Sequence, residues 1–170
     1  MIDLDITELF EEIVKELPEG LEILYPNGKG GTKVMKSPRL NYIFGSSQYI
    51  KDILDEYSKS SAQSERKFPL VALFTPISED RGDADYFSKA KVSLIIACSS
   101  CKEWSNEMRR TTSFKNILRP IYKRLLEVLY EDSRFDCDYD EKVKHSYSEN
   151  YSYGRYGAYT CLLYTSDAAD

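Results

Sequence analysis

The sequence predicts an α+β domain: a largely antiparallel sheet of four or five strands with two or three helices packed on it. Three observations carry this. Two short apolar runs, Leu70 to Phe74 and Lys91 to Cys98, are rich in β-branched and aromatic residues and are bounded by Pro, Gly and Asp, as buried strands are. Between them, about a dozen polar residues without a helical period form a long hairpin loop, so the two strands are expected to be adjacent, antiparallel and central. Apolar stripes at helical spacing then occur on either side of this pair. In the second run Lys91 and Ser93 alternate with Val92 and Leu94, and from Ile95 to Ala97 both faces are apolar, which describes a strand entering a core.

The first helix is announced by Asp5-Ile-Thr-Glu8, which has the form of a capping box, followed by Leu9, Phe10, Ile13, Val14 and Leu17 on one stripe. Pro18 and Gly20 stop it. Leu21 to Tyr25 reads as a strand ended by the turn signature Pro26-Asn27-Gly28. Lys29-Gly30-Gly31 lacks the Gly-Lys-Ser/Thr ending of a phosphate loop and reads as a hairpin tip. Val34 and Met35 return as a short strand, and Leu40 to Phe44 suggests another. Ser46 or Ser47 then caps a helix whose stripe is Tyr49, Ile50, Ile53, Leu54 and Tyr57. Ser58 to Arg66 is a polar linker. Past Ser99 the chain is polar through Thr112, readable as a loop or a loose helix, apart from Trp104 and Met108. Phe114, Ile117, Leu118, Ile121, Tyr122, Leu125, Leu126 and Leu129 trace a long stripe, and Pro120 predicts a kink or a helix start near it.

Size and charge bound the function. A chain of 170 residues is one domain, long enough to bury about 70% of its unfolded surface without staples. Hydrophobic content of 42% and charged content of 30% are those of an ordinary globular protein. No apolar run approaches the roughly 20 residues of a membrane span. The N-terminus carries no basic segment followed by an apolar one, which points to a cytoplasmic product. A net charge of −5 argues against a protein whose main task is to hold a phosphate backbone. Lys102, Arg109, Arg110, Lys115, Arg119, Lys123 and Arg124 give the third helical region a positive bias that reads first as a solvated face.

The last ten residues, Cys161 to Asp170, resemble the read-through translation of a transposase-type sequencing adapter, whose core encodes Cys-Leu-Leu-Tyr-Thr-Ser in this frame. They are expected to be adapter-encoded, leaving a core of 1–132 and an acidic, then tyrosine-rich segment, 133–160, of the same domain, cut short at its end. Any strand formed by 161–170 would be incidental. The natural strand missing there would leave a sheet edge, or a groove beside the sheet, with unpaired backbone groups, and non-specific association of the chain as it stands. Without these ten residues three cysteines remain, unpaired, as in a reducing compartment.

Two constellations could carry chemistry. Cys98 and Cys101 have ligand spacing, and Cys137 with His145 could complete a zinc site; the alternative is a small hydrophobe at a strand end. Glu79, Asp80, Asp83 and Asp85, followed by Lys89 and Lys91, could serve a metal-dependent nuclease if held on strands, but read as a solvated loop tip. His145 is the only histidine, and no cofactor set is visible. Tyr147, Tyr151, Tyr153 and Tyr156, with Arg155, Asp83 and Asp85, are the candidate interface residues, because tyrosine gives contact area at small entropic cost. The tyrosine-rich stretch is readable either as low-complexity disorder or as an arm or edge strand that docks on a neighbour.

In order, the runs Tyr42-Ile-Phe-Gly-Ser-Ser-Gln-Tyr-Ile-Lys51, Phe68-Pro-Leu-Val-Ala-Leu-Phe74, Val92-Ser-Leu-Ile-Ile-Ala97, Phe114-Lys-Asn-Ile-Leu-Arg-Pro-Ile-Tyr122, His145 and Tyr153-Gly-Arg-Tyr-Gly157 resemble a small family of gut phages and prophages. More distantly, the plan is similar to phage tail-terminator and tail-completion proteins, which include head–tail joining subunits. The resemblance implies a non-enzymatic virion assembly protein. It would form a homo-oligomeric ring at the tail or head–tail junction, beside other tail or neck proteins. Such a protein assembles in the host cytoplasm and ends in the virion, with no membrane, specific nucleic acid, metal or cofactor. The alternative is a metal-dependent or nucleic-acid-processing phage enzyme using the acidic loop 79–85 or Cys98 and Cys101.

Overall fold

The computed structural model describes residues 5–26, 31–59, 67–80, 89–99, 104–134, 145–150 and 160–169. The elements follow in the order α1 (Ile6–Glu16), β1 (Glu22–Pro26), β2 (Thr32–Lys36), β3 (Asn41–Gly45), α2 (Ser47–Ser58), β4 (Leu70–Phe74), β5 (Ser78–Asp80) and β6 (Lys89–Ser99). A third helical run, α3, is α-helical over Asn106–Met108, π-wound over Arg109–Leu118 and α-helical again over Arg119–Glu131. The strands β7 (His145–Asn150) and β8 (Thr160–Ala169) follow it. The fold is α+β, as the sequence predicts: three helices, a mixed main sheet in the order β3-β4-β6-β8-β7 with β5 also on β6, and a separate β1–β2 hairpin.

The central pair is the expected one. β4 and β6 are antiparallel, with Leu70, Val71, Ala72 and Leu73 opposite Ala97, Ile96, Ile95 and Leu94. Every side chain of β6 from Leu94 to Cys98 is at most 2% exposed. Alternation sorts them to two cores. Val71, Leu73, Val92, Leu94, Ile96 and Cys98 join α1, α3 and β1 on one face. Leu70, Ala72, Ile95 and Ala97 meet Ile50 and Leu54 of α2 and Ile43 of β3 on the other. Helices therefore cover both faces at the middle of the sheet.

The hairpin is longer than the apolar pattern alone predicts. β5 puts Ser78, Glu79 and Asp80 opposite Lys91, Ala90 and Lys89, so Glu79 and Asp80 sit on a strand and not on the loop tip. β4 and β5 pair with the same edge of β6 and are separated by Pro76, which has no N–H to give the ladder.

β3 pairs with β4 in parallel, Asn41 opposite Leu70 through Gly45 opposite Phe74. A parallel neighbour needs a crossover, and α2 with the linker behind it supplies one. Locally, Ser46 caps α2, its Oγ accepting from the Tyr49 N–H at 3.1 Å. Asp5 caps α1 in the same way, accepting from the Glu8 N–H at 2.9 Å.

α3 resolves the polar stretch before Thr112 as helix from Asn106, started by Ser105, whose Oγ accepts from the Met108 N–H at 3.2 Å. Pro120 does not break the helical run: the regular α-helical stretch begins at Arg119, with Pro120 in its first turn, where the sequence places a helix start. Proline clashes with the carbonyl one α-turn back, and the wider winding just before it removes that constraint: the Arg119 N–H reaches five residues back to the Phe114 carbonyl. The stripe Phe114, Ile117, Leu118, Ile121, Leu125, Val128 and Leu129 stays buried across the change of winding.

Thr160–Ala169, which include all but the last of the residues read as adapter-encoded, lie antiparallel to β6 from Ser99 to Ala90. Main-chain pairing is indifferent to side-chain identity, so this pairing expresses what the edge of β6 offers to an extended segment. Against expectation, that edge is filled. β7 pairs with β8 in turn, and Arg119 of α3 grips Glu149 of β7 through a two-bonded fork, Nε to Oε1 at 2.6 Å and Nη2 to Oε2 at 3.0 Å.

Beyond α3, Arg134 donates to Asp132, Nη2 to Oδ2 at 2.6 Å, and to Glu12 of α1. The Arg134 side chain, and then its backbone N–H, hold the Asp132 carboxyl below the ordinary carboxylate range against a smaller opposing effect of burial. A carboxyl depressed in the folded state adds stability above its unfolded pKa, about 3.9, and loses it as pH falls through the folded value. The stability lost in Arg134→Ala, measured by urea unfolding, should therefore be constant above about pH 5 and shrink as pH falls below about 4. A loss independent of pH would contradict this role.

Candidate edge-strand groove

β3 ends the main sheet, pairing with β4 alone among the described residues. The Asn41 N–H donates to the Pro69 carbonyl at 2.9 Å, and the Gly45 carbonyl accepts from the Thr75 N–H at 3.0 Å. Main-chain groups alternate along a strand, so those of Asn41, Ile43 and Gly45 turn to β4 and those of Tyr42 and Phe44 turn outward.

An open groove of about 430 Å³ runs along this outward edge, lined by Tyr42, Ile43, Phe44, Gly45, Tyr49, Ile53, Tyr57 and Thr75. Tyr42 and Phe44 belong to the α1 face of the sheet, while Tyr49, Ile53 and Tyr57 come from α2 on the other face. The groove therefore wraps the edge itself. Phe44 is 46% exposed and Tyr49 52%, high values for large apolar groups.

Local sequence builds each wall. In α2, Ile50 and Leu54 point into the core, and the neighbouring stripe of Tyr49, Ile53 and Tyr57 is left at the rim. Asp52 and Glu56, three residues after Tyr49 and Ile53, border that rim on the side away from the core. Asp52 accepts from Gln48 Nε2 at 2.9 Å, and Glu56 from Lys59 Nζ at 2.7 Å. Tyr42 is fixed by its hydroxyl, which donates to the Thr7 carbonyl at 2.8 Å. Burial, with the carboxylates of Glu11 and Asp5 adding to it, pushes the Tyr42 phenol well above its usual range. At Gly45 φ is +147°, and an added Cβ would stand 2.6 Å from Tyr49 Cδ1.

Only some of the sequence-derived candidates lie among the described residues. Cys98 is buried in β6 and carries no disulfide; Cys101 and Cys137 lie outside the described residues, and His145 begins β7. Among the described residues no group of three or more His, Cys, Asp or Glu is placed to hold a metal. Of the acidic residues, Glu79 and Asp80 are on β5, and Asp83 and Asp85 lie outside the described residues. Of the interface set, Tyr147 is on β7 opposite Thr165, and Tyr151, Tyr153, Arg155 and Tyr156 lie outside the described residues. The basic residues of α3 lie mostly on an exposed face, as the sequence predicts: Arg110, Lys115, Arg119 and Lys123 are exposed, and Lys102 lies outside the described residues. Arg109 is buried, Arg110 pairs with Glu107 at 2.5 Å, Arg119 with Glu149 at 2.6 Å and Arg124 with Glu127 at 3.4 Å.

Helical spacing puts Tyr49, Ile50, Ile53, Leu54 and Tyr57 on one stripe, which the fold divides between core and rim. The signal that divides them is the aromatic excess at 42, 44, 49 and 57, too much ring area for one small core. Among described residues, no helix is long and apolar enough to cross a membrane. Comparison with protein-family models gives no match, and comparison with curated proteins gives none either.

Gly45→Ala should cost about 1–2 kcal/mol, because it places a side chain in a backbone region favourable only to glycine and against the Tyr49 ring. Thermal or urea unfolding measures it. Unchanged stability would contradict the close packing of this wall.

Proposed function

We propose that this chain is a non-enzymatic virion assembly protein, a ring subunit of the tail-terminator or tail-completion type at the tail or head–tail junction of a phage. It acts by packing against copies of itself and neighbouring tail or neck proteins. The observation that carries the reading is the β3 edge, left without a second strand among the described residues, with its aromatic groove. Proteins that work alone blunt their sheet edges with charge, proline or a covering loop. Here the edge strand carries Tyr42 and Phe44 beside Tyr49, which suits a surface completed by a partner. The order of elements, an N-terminal helix, a hairpin, the Phe-Pro-Leu-Val strand, a long strand and a long helix, supports it through the resemblance described above.

In this reading β3 is placed by the core, and its free side is left for assembly. Heterologous contacts between copies close into rings when the rotation between neighbours allows. Purified at micromolar concentration, the chain is expected to form a discrete closed oligomer in mass photometry and negative-stain images. A monodisperse monomer would overturn the proposal, as would an open-ended aggregate without preferred size.

A further inference from the structure

Resting on the ring reading, we infer that the strand received by the β3 groove is β2 of a second copy, added antiparallel so that the two sheets become continuous. β2 is exposed along its whole length and pairs with β1 alone among the described residues. Its centre, Val34 and Met35, is 51% and 37% exposed and is flanked by Lys33 and Lys36.

Backbone geometry selects the fit. The Ser37 N–H donates to the Leu21 carbonyl at 3.0 Å, and in the β1–β2 register Met35 and Lys33 lie opposite Ile23 and Tyr25. Alternation from that bond turns the main-chain groups of Met35 and Lys33 toward β1. It turns those of Thr32, Val34 and Lys36 outward. The outward row of β2 therefore matches the outward row of β3, Tyr42 and Phe44.

Side chains decide the direction. In an antiparallel pair, directly opposed residues share a face of the sheet. Antiparallel addition with Val34 opposite Phe44 thus sets Val34 on the Tyr42 and Phe44 face. Lys33 and Met35 fall on the α2 face. Met35 then enters the groove over Tyr49 and Ile53, and Lys33 meets the carboxylates of Asp52 and Glu56. Parallel addition would put Lys33 and Met35 on the wrong face, away from these acids. Charge complementarity and the exposed apolar pair agree only for the antiparallel arrangement. Because β2 and β3 are different surfaces, each copy keeps one of each for the next neighbour, a head-to-tail contact that propagates.

Charge reversal tests this on the full chain. Lys33→Glu, and separately Asp52→Lys with Glu56→Lys, should weaken self-association at least tenfold in sedimentation velocity. All three changes in one chain should restore it. These positions are exposed, and circular dichroism with thermal unfolding verifies that each variant is folded. In parallel, a chain carrying both Val34→Cys and Phe44→Cys should form a covalent ladder on oxidation that neither single variant forms. The linked peptides, identified by mass, should join residue 34 to residue 44. Assembly that persists in the reversed variants, or a triple variant that stays dissociated, or cross-links joining other positions, would overturn this contact and leave the ring reading standing. A native chain that stays monomeric would overturn both.

Discussion

The fold depends on one strand being satisfied on four sides at once. β6 has apolar neighbours on both faces and backbone partners on both edges, β4 and β5 along one and β8 along the other. Each fully buried aliphatic side chain contributes about 1.5–3 kcal/mol relative to exposure. Val92, Leu94, Ile95 and Ile96 therefore place several such increments on a single segment. This burial requires helices above and below, which is why α1 and α3 pack on one face and α2 on the other. α2 can reach its face only by crossing over between β3 and β4, so the parallel step follows from the demand for cover.

That crossover has a consequence at the sheet's margin. β3 is held by β4, by α2 through Ile43 in the core, and by α1 through the Tyr42 hydroxyl on the Thr7 carbonyl. Among the described residues its outer side receives no helix, because α2 is committed to covering Leu70, Ala72, Ile95 and Ala97. The aromatic side chains around that margin make it apolar. Charge is kept one helical row away, on Asp52 and Glu56, where it does not block a strand from approaching. The β1–β2 hairpin has the reverse distribution, with lysines on the strand itself. An acidic rim beside one edge and a basic exposed strand on the other are the two halves of the directional contact proposed above.

Much of this was legible in the residues. The β4–β6 pair followed from apolar runs of strand length with a polar connection between them, and the caps at Asp5 and Ser46 followed from side chains that accept orphan helix N–H groups. What was not legible is non-local. The choice of β3 as a parallel neighbour of β4 depends on which face needs covering, and no local pattern near Asn41 encodes it. β5 is invisible to a hydrophobic scan because Ser78, Glu79 and Asp80 are all polar and enter the sheet through the backbone ladder. The π winding before Pro120 leaves the apolar stripe intact, so periodicity could show the stripe but not its winding. The groove was hidden because Tyr49 and Tyr57 share their helical face with core residues, and only tertiary placement separates rim from core. The cysteine and acidic constellations rested on proximity in sequence, and the fold keeps Cys98 in the core and spreads Glu79 and Asp80 along a strand.

In the proposed assembly the β3 edge is open in the single chain and closed between copies. Amide hydrogen exchange, followed residue by residue on the dilute chain and on the assembled form, tests it most directly. The amides of Ile95 and Ile96 should be protected in both states, since their strand is buried and paired within one chain. The amides of Tyr42 and Phe44, facing outward, should exchange freely in the single chain and slow at least about tenfold in the assembly, as newly paired edge amides do. An assembly in which Tyr42 and Phe44 exchange as fast as in the dilute chain would contradict the account.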